Sequence, residues 1–441
     1  MVKISLIGAG SGVFTGIVRT ICMSQHLSGS IISLMDINQE RLDMTYDICC
    51  RYTKEIGTNL RFEKTTNQLE SLKGADFIIN TALTAPHHRL LEGWKIADKY
   101  GFDFAGSHHV KSDEAFWINF YQLRFFEELT QDILSHCPNA WHLMVANPVF
   151  AGTTYIQRKY PEAKMVGLCH GYNGANTIAE MMGYNRDDFT FQLAGVNHFL
   201  WLNKGNIKDR DFFDVLEERL ADPNPENNPL GKIPAEFYKR HGVVGIGDTL
   251  LWSSASWPWF CNADEETKRE FNDIPAEKGW SEYFDWVAKS SADIIEVAKD
   301  KSRSAKEFLE TVWTDDLVVP LVESLACNIP RLMHVNLLNR GGIVQGLPDD
   351  IGIEVQALCQ RNEIRPIKSD PLPRTVIAYI LRDRVAPLEM ELEAFRAGRL
   401  AYLEELVLMD KWATSIKQVR GFLNEILDLP YHADMKAHYC K

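Results

Sequence analysis

Apolar residues along this chain come in short continuous runs that alternate with stretches of helical period. The run 3–7 leads into Gly8-Ala9-Gly10-Ser11-Gly12, and residues 13–24 are then apolar at intervals of three and four, which predicts a strand, a glycine turn and a helix. A second run, 31–35, ends in Asp36 and precedes a helical pattern over 39–53; a third, 76–79, ends in Asn80. Further strands are expected at 140–146 and 164–168, with Asn147-Pro148 as a turn and helices at 153–159 and 174–182. Strands alternating with helices at this interval close right-handed crossovers and build a parallel sheet covered on both faces. The pattern therefore predicts an α/β fold whose first domain, residues 1–185, is a doubly wound parallel sheet of the Rossmann type.

Beyond residue 185 the rhythm changes. A polar, proline-containing stretch at 221–234 is followed by helical patterns at 305–311, 376–408 and 412–427, the last two punctuated only by Pro387, Gly398 and Gly421. Residues 186–441 are read as an α+β second domain for substrate, metal and oligomerisation, its long helices forming a cap or an oligomer surface. No internal repeat is visible.

Composition narrows the partners. The 441 residues suffice for two to three domains at roughly 150 residues each, or for one large α/β unit with an appended lobe. Sixty acidic against 47 basic residues give a net charge of −13, and no Lys/Arg run offers the footprint that a phosphate backbone or an anionic membrane requires. No window approaches the roughly 18 apolar residues of a spanning helix. Neither nucleic acid nor membrane is expected as a partner. Nine irregularly spaced cysteines and a start too short in apolar residues for a secretory signal predict a reduced, cytoplasmic protein.

The candidate chemistry begins at the first turn. Gly8-x-Gly10 between strand and helix presents backbone amides and a helix N-terminus to a pyrophosphate. A strict G-x-G-x-x-G is not met, because Val13 stands at the third glycine position, with Gly12 one place early. Asp36 at the end of the second strand is placed to bond a ribose 2′-hydroxyl and would repel a 2′-phosphate, which points to NAD rather than NADP. Asn80 is a further candidate contact. Downstream, Asn147 and Cys169 follow strands and are expected to face the ligand crevice, and a Cys thiolate with a His imidazole such as His198 can supply two ligands of a divalent metal. A small core cysteine and a hydrogen-bonded histidine are the plainer alternatives. Asp103, Asp113, Glu114 and Asp248 are the acid/base candidates. Asp113 has a second reading as the N-cap of an aromatic helix that begins at Phe116.

Taken in order, Gly8-Ala9-Gly10-Ser11, Met35-Asp36-Ile37, Ala146-Asn147-Pro148, Cys169-His170-Gly171, Ala194-Gly195-Val196-Asn197-His198 and Ile246-Gly247-Asp248-Thr249 resemble the motifs of glycoside hydrolase family 4. Arg340-Gly341-Gly342 and residues 384–399 extend the resemblance toward the C-terminus, and Cys-His-Gly makes the chain similar to the α-glucosidase and α-glucuronidase branch. The resemblance implies a second domain like that of lactate and malate dehydrogenases and a homodimer or homotetramer. It also implies dependence on NAD and on Mn2+ or another divalent metal. The implied reaction oxidises C3 of a small unphosphorylated α-glycoside, deprotonates C2, eliminates the aglycone, adds water and reduces C3 again. An α-glucosidase is expected first, with α-glucuronidase or α-galacturonidase as alternatives. By the same resemblance Cys169 and His198 are the metal ligands, Asn147 and His170 contact substrate, Asp248 is the C2 base and Asp113 the leaving-group acid. Gly8, Gly10, Ser11, Asp36 and Asn80 then hold the cofactor.

The chain departs from relatives at Ala105-Gly106-Ser107-His108-His109, where they carry Arg-Gly-Ile-Asp, and at Leu251, where they carry Arg. An altered sugar rim is therefore expected, with His108, His109 and Lys111 meeting an anionic substituent. The rival from another class is an NAD-dependent 2-hydroxy-acid dehydrogenase, which accumulates NADH and needs a His-Asp pair.

Overall fold

Thirteen strands form one mixed sheet in the computed structural model, which describes residues 1–12, 14–104, 106–222, 224, 227–247, 266, 276–312 and 316–440. They are β1 (Lys3–Ile7), β2 (Ile31–Met35), β3 (Arg61–Thr65), β4 (Phe77–Asn80), β5 (Trp141–Met144), β6 (Met165–Gly167) and β7 (Phe189–Val196), then β8 (Phe199–Ile207), β9 (Arg210–Asp211), β10 (Val244–Ile246), β11 (Arg331–Leu338), β12 (Gly352–Gln360) and β13 (Glu363–Pro366). One half runs β3-β2-β1-β4-β5-β6, all parallel, the order of a dinucleotide-binding sheet. Its central strands are buried almost throughout, as their continuous apolar runs require of strands covered on both faces.

The other half continues from β6 as β11-β12-β7-β8-β10, all antiparallel, with β13 beside β12 and β9 beside β8. Every strand up to β6 lies in the parallel half and every strand from β7 onward in the antiparallel half. The α/β class expected from the sequence is the one observed, and among the described helices none is long and apolar enough to cross a membrane.

Two features place the site. The helix Phe116–His136 buries Trp117, Phe120, Leu123 and Phe126 in the largest core cluster. The helix His87–Lys99 lies against it only because residue 93 is glycine, since a Cβ there would stand 2.3 Å from the Trp117 ring. The connection between these helices, which carries Asp113 and Glu114, is tied to helix His87–Lys99 by Trp94 Nε1 donating to Ser112 O at 3.2 Å. Second, the expected helical pattern over 376–408 is divided. Helix Arg374–Ile380 passes through a π-helical turn, Leu381–Val385, into helix Ala386–Ala397, and a separate helix spans Leu400–Leu408. Pro387 has no N–H for the preceding carbonyls, and the wider turn accommodates that loss. Gly398, at φ 60, then closes the helix with its N–H on Ala394 O. Within the π turn, Arg384 is buried.

Candidate active site

The order of the parallel strands reverses at β1, flanked by β2 and β4, and the turns beyond these strands meet there. Gly8 and Ala9 donate to Met35 O at 2.9 and 3.0 Å, which folds the glycine turn back over β2. Gly8 has φ +88, and a Cβ on it would stand 2.8 Å from the backbone of Ala82 beyond β4. Gly10 N donates to Asp36 Oδ2 at 2.8 Å, while Asp36 Oδ1 accepts from Asn38 N at 2.8 Å. Ser11 Oγ returns to Gly8 O at 3.0 Å, and a Cβ on Gly12 would lie 2.6 Å from Ser290 Oγ on the helix Ala276–Lys299. Asn80 is fully buried, with Oδ1 accepting from Ala82 N at 3.1 Å and Nδ2 without a hydrogen-bond partner. A tight amide-bearing turn, an acid beside it and an unpaired buried amide donor fit a dinucleotide. Val13 lies outside the described residues.

Beside this crevice is a cavity of about 160 Å³ lined by, among others, Thr81, His87, Asp113, Ala146, Asn147 and Tyr283. Asn147 Nδ2 donates to Asp113 Oδ2 at 2.9 Å and Ser112 Oγ to Asp113 Oδ1 at 3.1 Å. The N-cap reading of Asp113 is set aside, because Ala115 occupies the cap and no side chain bonds there. Burial, and then the charge of Asp113, raise the Tyr283 hydroxyl, and burial lowers the His87 imidazole. Asp103, by contrast, lies toward the surface with its carboxylate on Lys111, and Asp36 accepts only amides.

Glu114, the residue after Asp113, belongs to a buried polar network. His198 is the second residue of the two-residue β7–β8 hairpin loop, at φ 58, and its Nδ1 lies 2.9 Å from Glu114 Oε1. Arg384 Nη2 donates to Glu114 Oε2 at 3.1 Å and to Asn197 O at 3.2 Å. Burial would raise the Glu114 carboxyl, but the Arg384 charge and the adjacent His198 imidazole outweigh it and hold it far below the carboxylate range. Burial, with Arg384, pushes His108 well below an ordinary histidine. Among the described residues, His108, Glu114 and His198 form the one group of three metal-type side chains whose donor atoms lie within 4.8 Å of one another. From the sequence, His198 is expected in a metal site and Glu114 only as an acid/base candidate. Arg384 has no role in the sequence reading, where its signals are an arginine within an apolar helical pattern and its place at the start of the 384–399 segment of the resemblance.

Cys169, half-buried beyond β6, is not in that group, and His170 is exposed. The segment that follows them packs on the end of β10: a Cβ on Gly247 would stand 2.7 Å from Gly171 O, and one on Gly174 2.7 Å from Gly247 N. Asp248 and Leu251 lie outside the described residues, as does Ala105. Asp316, buried near His170, was not singled out from the sequence; burial raises its carboxyl, with the Val318 amide and His170 opposing. The expectation that His108, His109 and Lys111 meet an anionic substituent is corrected. His108 and His109 are each 3% exposed, His109 Nδ1 lies 3.1 Å from Glu391 Oε2, and Lys111 is paired to Asp98 and Asp103. The Lys111 charge is paired within the fold, and both imidazoles are buried away from solvent.

Comparison with known proteins agrees with this architecture. The chain is 26% identical to an α-glucosidase of Erwinia rhapontici, over 92% of this chain and 93% of that one. It is 24% identical to an α-galacturonidase of Thermoanaerobacter italicus, over 85% and 84%. A 6-phospho-α-glucosidase from gut microorganisms, solved in complex with NAD and Mn2+, superposes with a TM-score of 0.80 at 16% identity, covering 98% of each chain. Residues 3–184 match the family 4 glycosyl hydrolase model and residues 193–413 match the model of that family's C-terminal domain, so the chain belongs to family 4 of the glycosyl hydrolases.

Proposed function

We propose that the protein is a glycosidase of small, unphosphorylated α-glycosides, α-glucosides first, that uses NAD and Mn2+ or another divalent metal. One observation carries the reading: the cofactor-type turn at Gly8 abuts the strand end from which Thr81 lines the cavity that holds Asp113 and Asn147. When bound, the dinucleotide supplies a hydride acceptor and the metal polarises sugar hydroxyls. Gly8, Gly10, Ser11, Asp36 and Asn80 hold the dinucleotide in this reading, and Cys169 and His198 hold the metal. Asp113, oriented by Asn147, donates its proton to the leaving aglycone oxygen, and Asp248 takes the proton from C2. Asn147 and His170 contact the sugar. A neutral glycone is favoured because no described residue lining the cavity is Lys or Arg. The likeness to an α-galacturonidase favours a second reading, a uronate, which requires a cation that these lining residues do not supply.

We further propose a cytoplasmic homodimer or homotetramer; the eight described cysteines are all free, in keeping with a reducing compartment. The test is incubation of the reduced protein with NAD+, Mn2+ and α-glucosides, α-galactosides and α-uronides in D2O. Aglycone release with deuterium at C2 of the product sugar is expected, fastest with an α-glucoside. Steady NADH accumulation without release would replace the glycosidase with a dehydrogenase.

A further inference from the structure

We infer that Glu114 is the positioning residue of His198: its carboxylate, in close contact with Nδ1 of the imidazole, draws the ring proton to that nitrogen and so presents Nε2 to the divalent metal. The inference rests on the proposed role of His198 as a metal ligand. His198 sits in a two-residue hairpin loop at φ 58, a backbone conformation that non-glycine residues seldom adopt, so the hairpin dictates where its side chain starts. Glu114 decides how the ring is turned. Its Oε1 lies 2.9 Å from His198 Nδ1, and its Oε2 is held by Arg384 Nη2 at 3.1 Å. The same Nη2 donates to the carbonyl of Asn197, the residue before His198, at 3.2 Å. One guanidinium thus braces both the carboxylate and the chain that carries the imidazole, and all three side chains are buried.

A carboxylate paired with arginine only accepts hydrogen bonds, so the imidazole proton belongs on Nδ1 and the lone pair on Nε2. A carboxylate on the far nitrogen also raises the basicity of a ligating imidazole, and loss of such a partner weakens metal binding about 10- to 100-fold. Glu114 directly follows Asp113, so one turn of chain sets both the leaving-group acid and the orientation of the metal's imidazole. The competing arrangement, with His108, Glu114 and His198 as direct ligands, is disfavoured because a cation there would stand against Arg384.

The test uses the full chain with NAD+ bound. In Glu114→Gln the amide oxygen turns to Arg384, which only donates, and the NH2 faces His198, moving the imidazole proton to Nε2. Mn2+ affinity, followed by EPR of free Mn2+, is expected to fall 10- to 100-fold while NAD+ affinity, followed by fluorescence, is unchanged. Long-range 1H–15N spectra of the metal-free wild type are expected to show the Nδ1–H form of His198, and those of the variant the Nε2–H form. An Nε2–H tautomer in the wild type overturns the inference even if the variant does not fold. Mn2+ binding lost equally in His108→Ala, Glu114→Gln and His198→Ala overturns it in favour of direct ligation. Unchanged Mn2+ affinity in His198→Ala removes the metal reading beneath it, whereas loss in His198→Ala with wild-type affinity in Glu114→Gln overturns the positioning role alone.

Discussion

A carboxyl group that protonates a leaving oxygen must be held at a fixed angle, and Asp113 has Asn147 at 2.9 Å and Ser112 at 3.1 Å for that purpose. Asp113→Asn keeps the shape and removes the proton. It is expected to lower kcat/KM by about 10²- to 10⁴-fold for glycosides with alcohol leaving groups and far less for nitrophenyl glycosides, which need no acid. Rates plotted against leaving-group pKa for both proteins check this, and equal losses on both substrate types would remove Asp113 from the role. Gly10 makes a second residue-scale prediction. A Cβ there would stand 2.7 Å from Asp36 Oδ2 and displace the carboxylate that holds the turn. Gly10→Ala is expected to weaken NAD+ by at least about tenfold, about 1.4 kcal/mol, in a fluorescence titration. The glycines and acids were legible as residue types, because a tight turn and a proton transfer each restrict which side chains serve. The partner of each acid was not, since Asn147 stands 34 residues from Asp113.

At the scale of elements, the parallel strands were readable because strands covered on both faces are continuously apolar. The antiparallel half was not, for the β7–β8 register shifts between Gln192 and Leu193, leaving Asn203 of β8 unpaired, and β8 lacks the alternation that marks a hairpin. Two of the sheet's strands also carry a titration. His142 on β5 is 2% exposed and bonds through neither ring nitrogen, and His334 on β11 is 6% exposed between the rings of Tyr172 and Phe191. Burial pushes each down to about 4. Their folded values lie below the unfolded value near 6.5, so the unfolded chain binds protons first on acidification. Stability from these two strands is fully present above about pH 6.5 and is lost toward pH 4, on the order of 2 kcal/mol for each histidine by pH 5. Urea midpoints are expected to fall between pH 7.5 and 5.0, and His142→Leu to flatten that fall. Identical midpoints for the wild type would show that neither strand carries the effect.

At the scale of the whole molecule, the C-terminal helices act on the site from outside it. Asp410, beyond the last of the residues 400–408, accepts Ser107 N at 2.7 Å and Trp412 N at 2.8 Å. Glu391 holds His109 and Asn119, and Arg384 holds Glu114. Together they fasten the connection that bears Asp113. Burial raises the Asp410 carboxyl and those two amides oppose it, so Asp410→Ala leaves both donors without their acceptor. A loss of about 1–3 kcal/mol is expected. A thermal melt reads that loss, and kinetics are expected to show a lower kcat at nearly constant KM. A variant with normal kcat would mean that the acid-bearing connection is held by its other anchors.

What the sequence by itself determines is local. Hydrophobic period specified the parallel strands and many helices, the glycine turn and Asp36 pointed to a dinucleotide, and the ordered motifs pointed to a family. Each of these depends on neighbours within a turn or a strand, where covalent geometry and side-chain spacing carry the information. Folding settled the pairings. Arg384 reaches Glu114 across 270 residues, through a π turn that the helical period does not announce, Lys111 is paired with the carboxylate of Asp98, and His109 is buried beside Glu391 of another helix. Which charge remains for a ligand depends on which charges the fold pairs internally, and that pairing is a matter of distances between elements rather than of residue order.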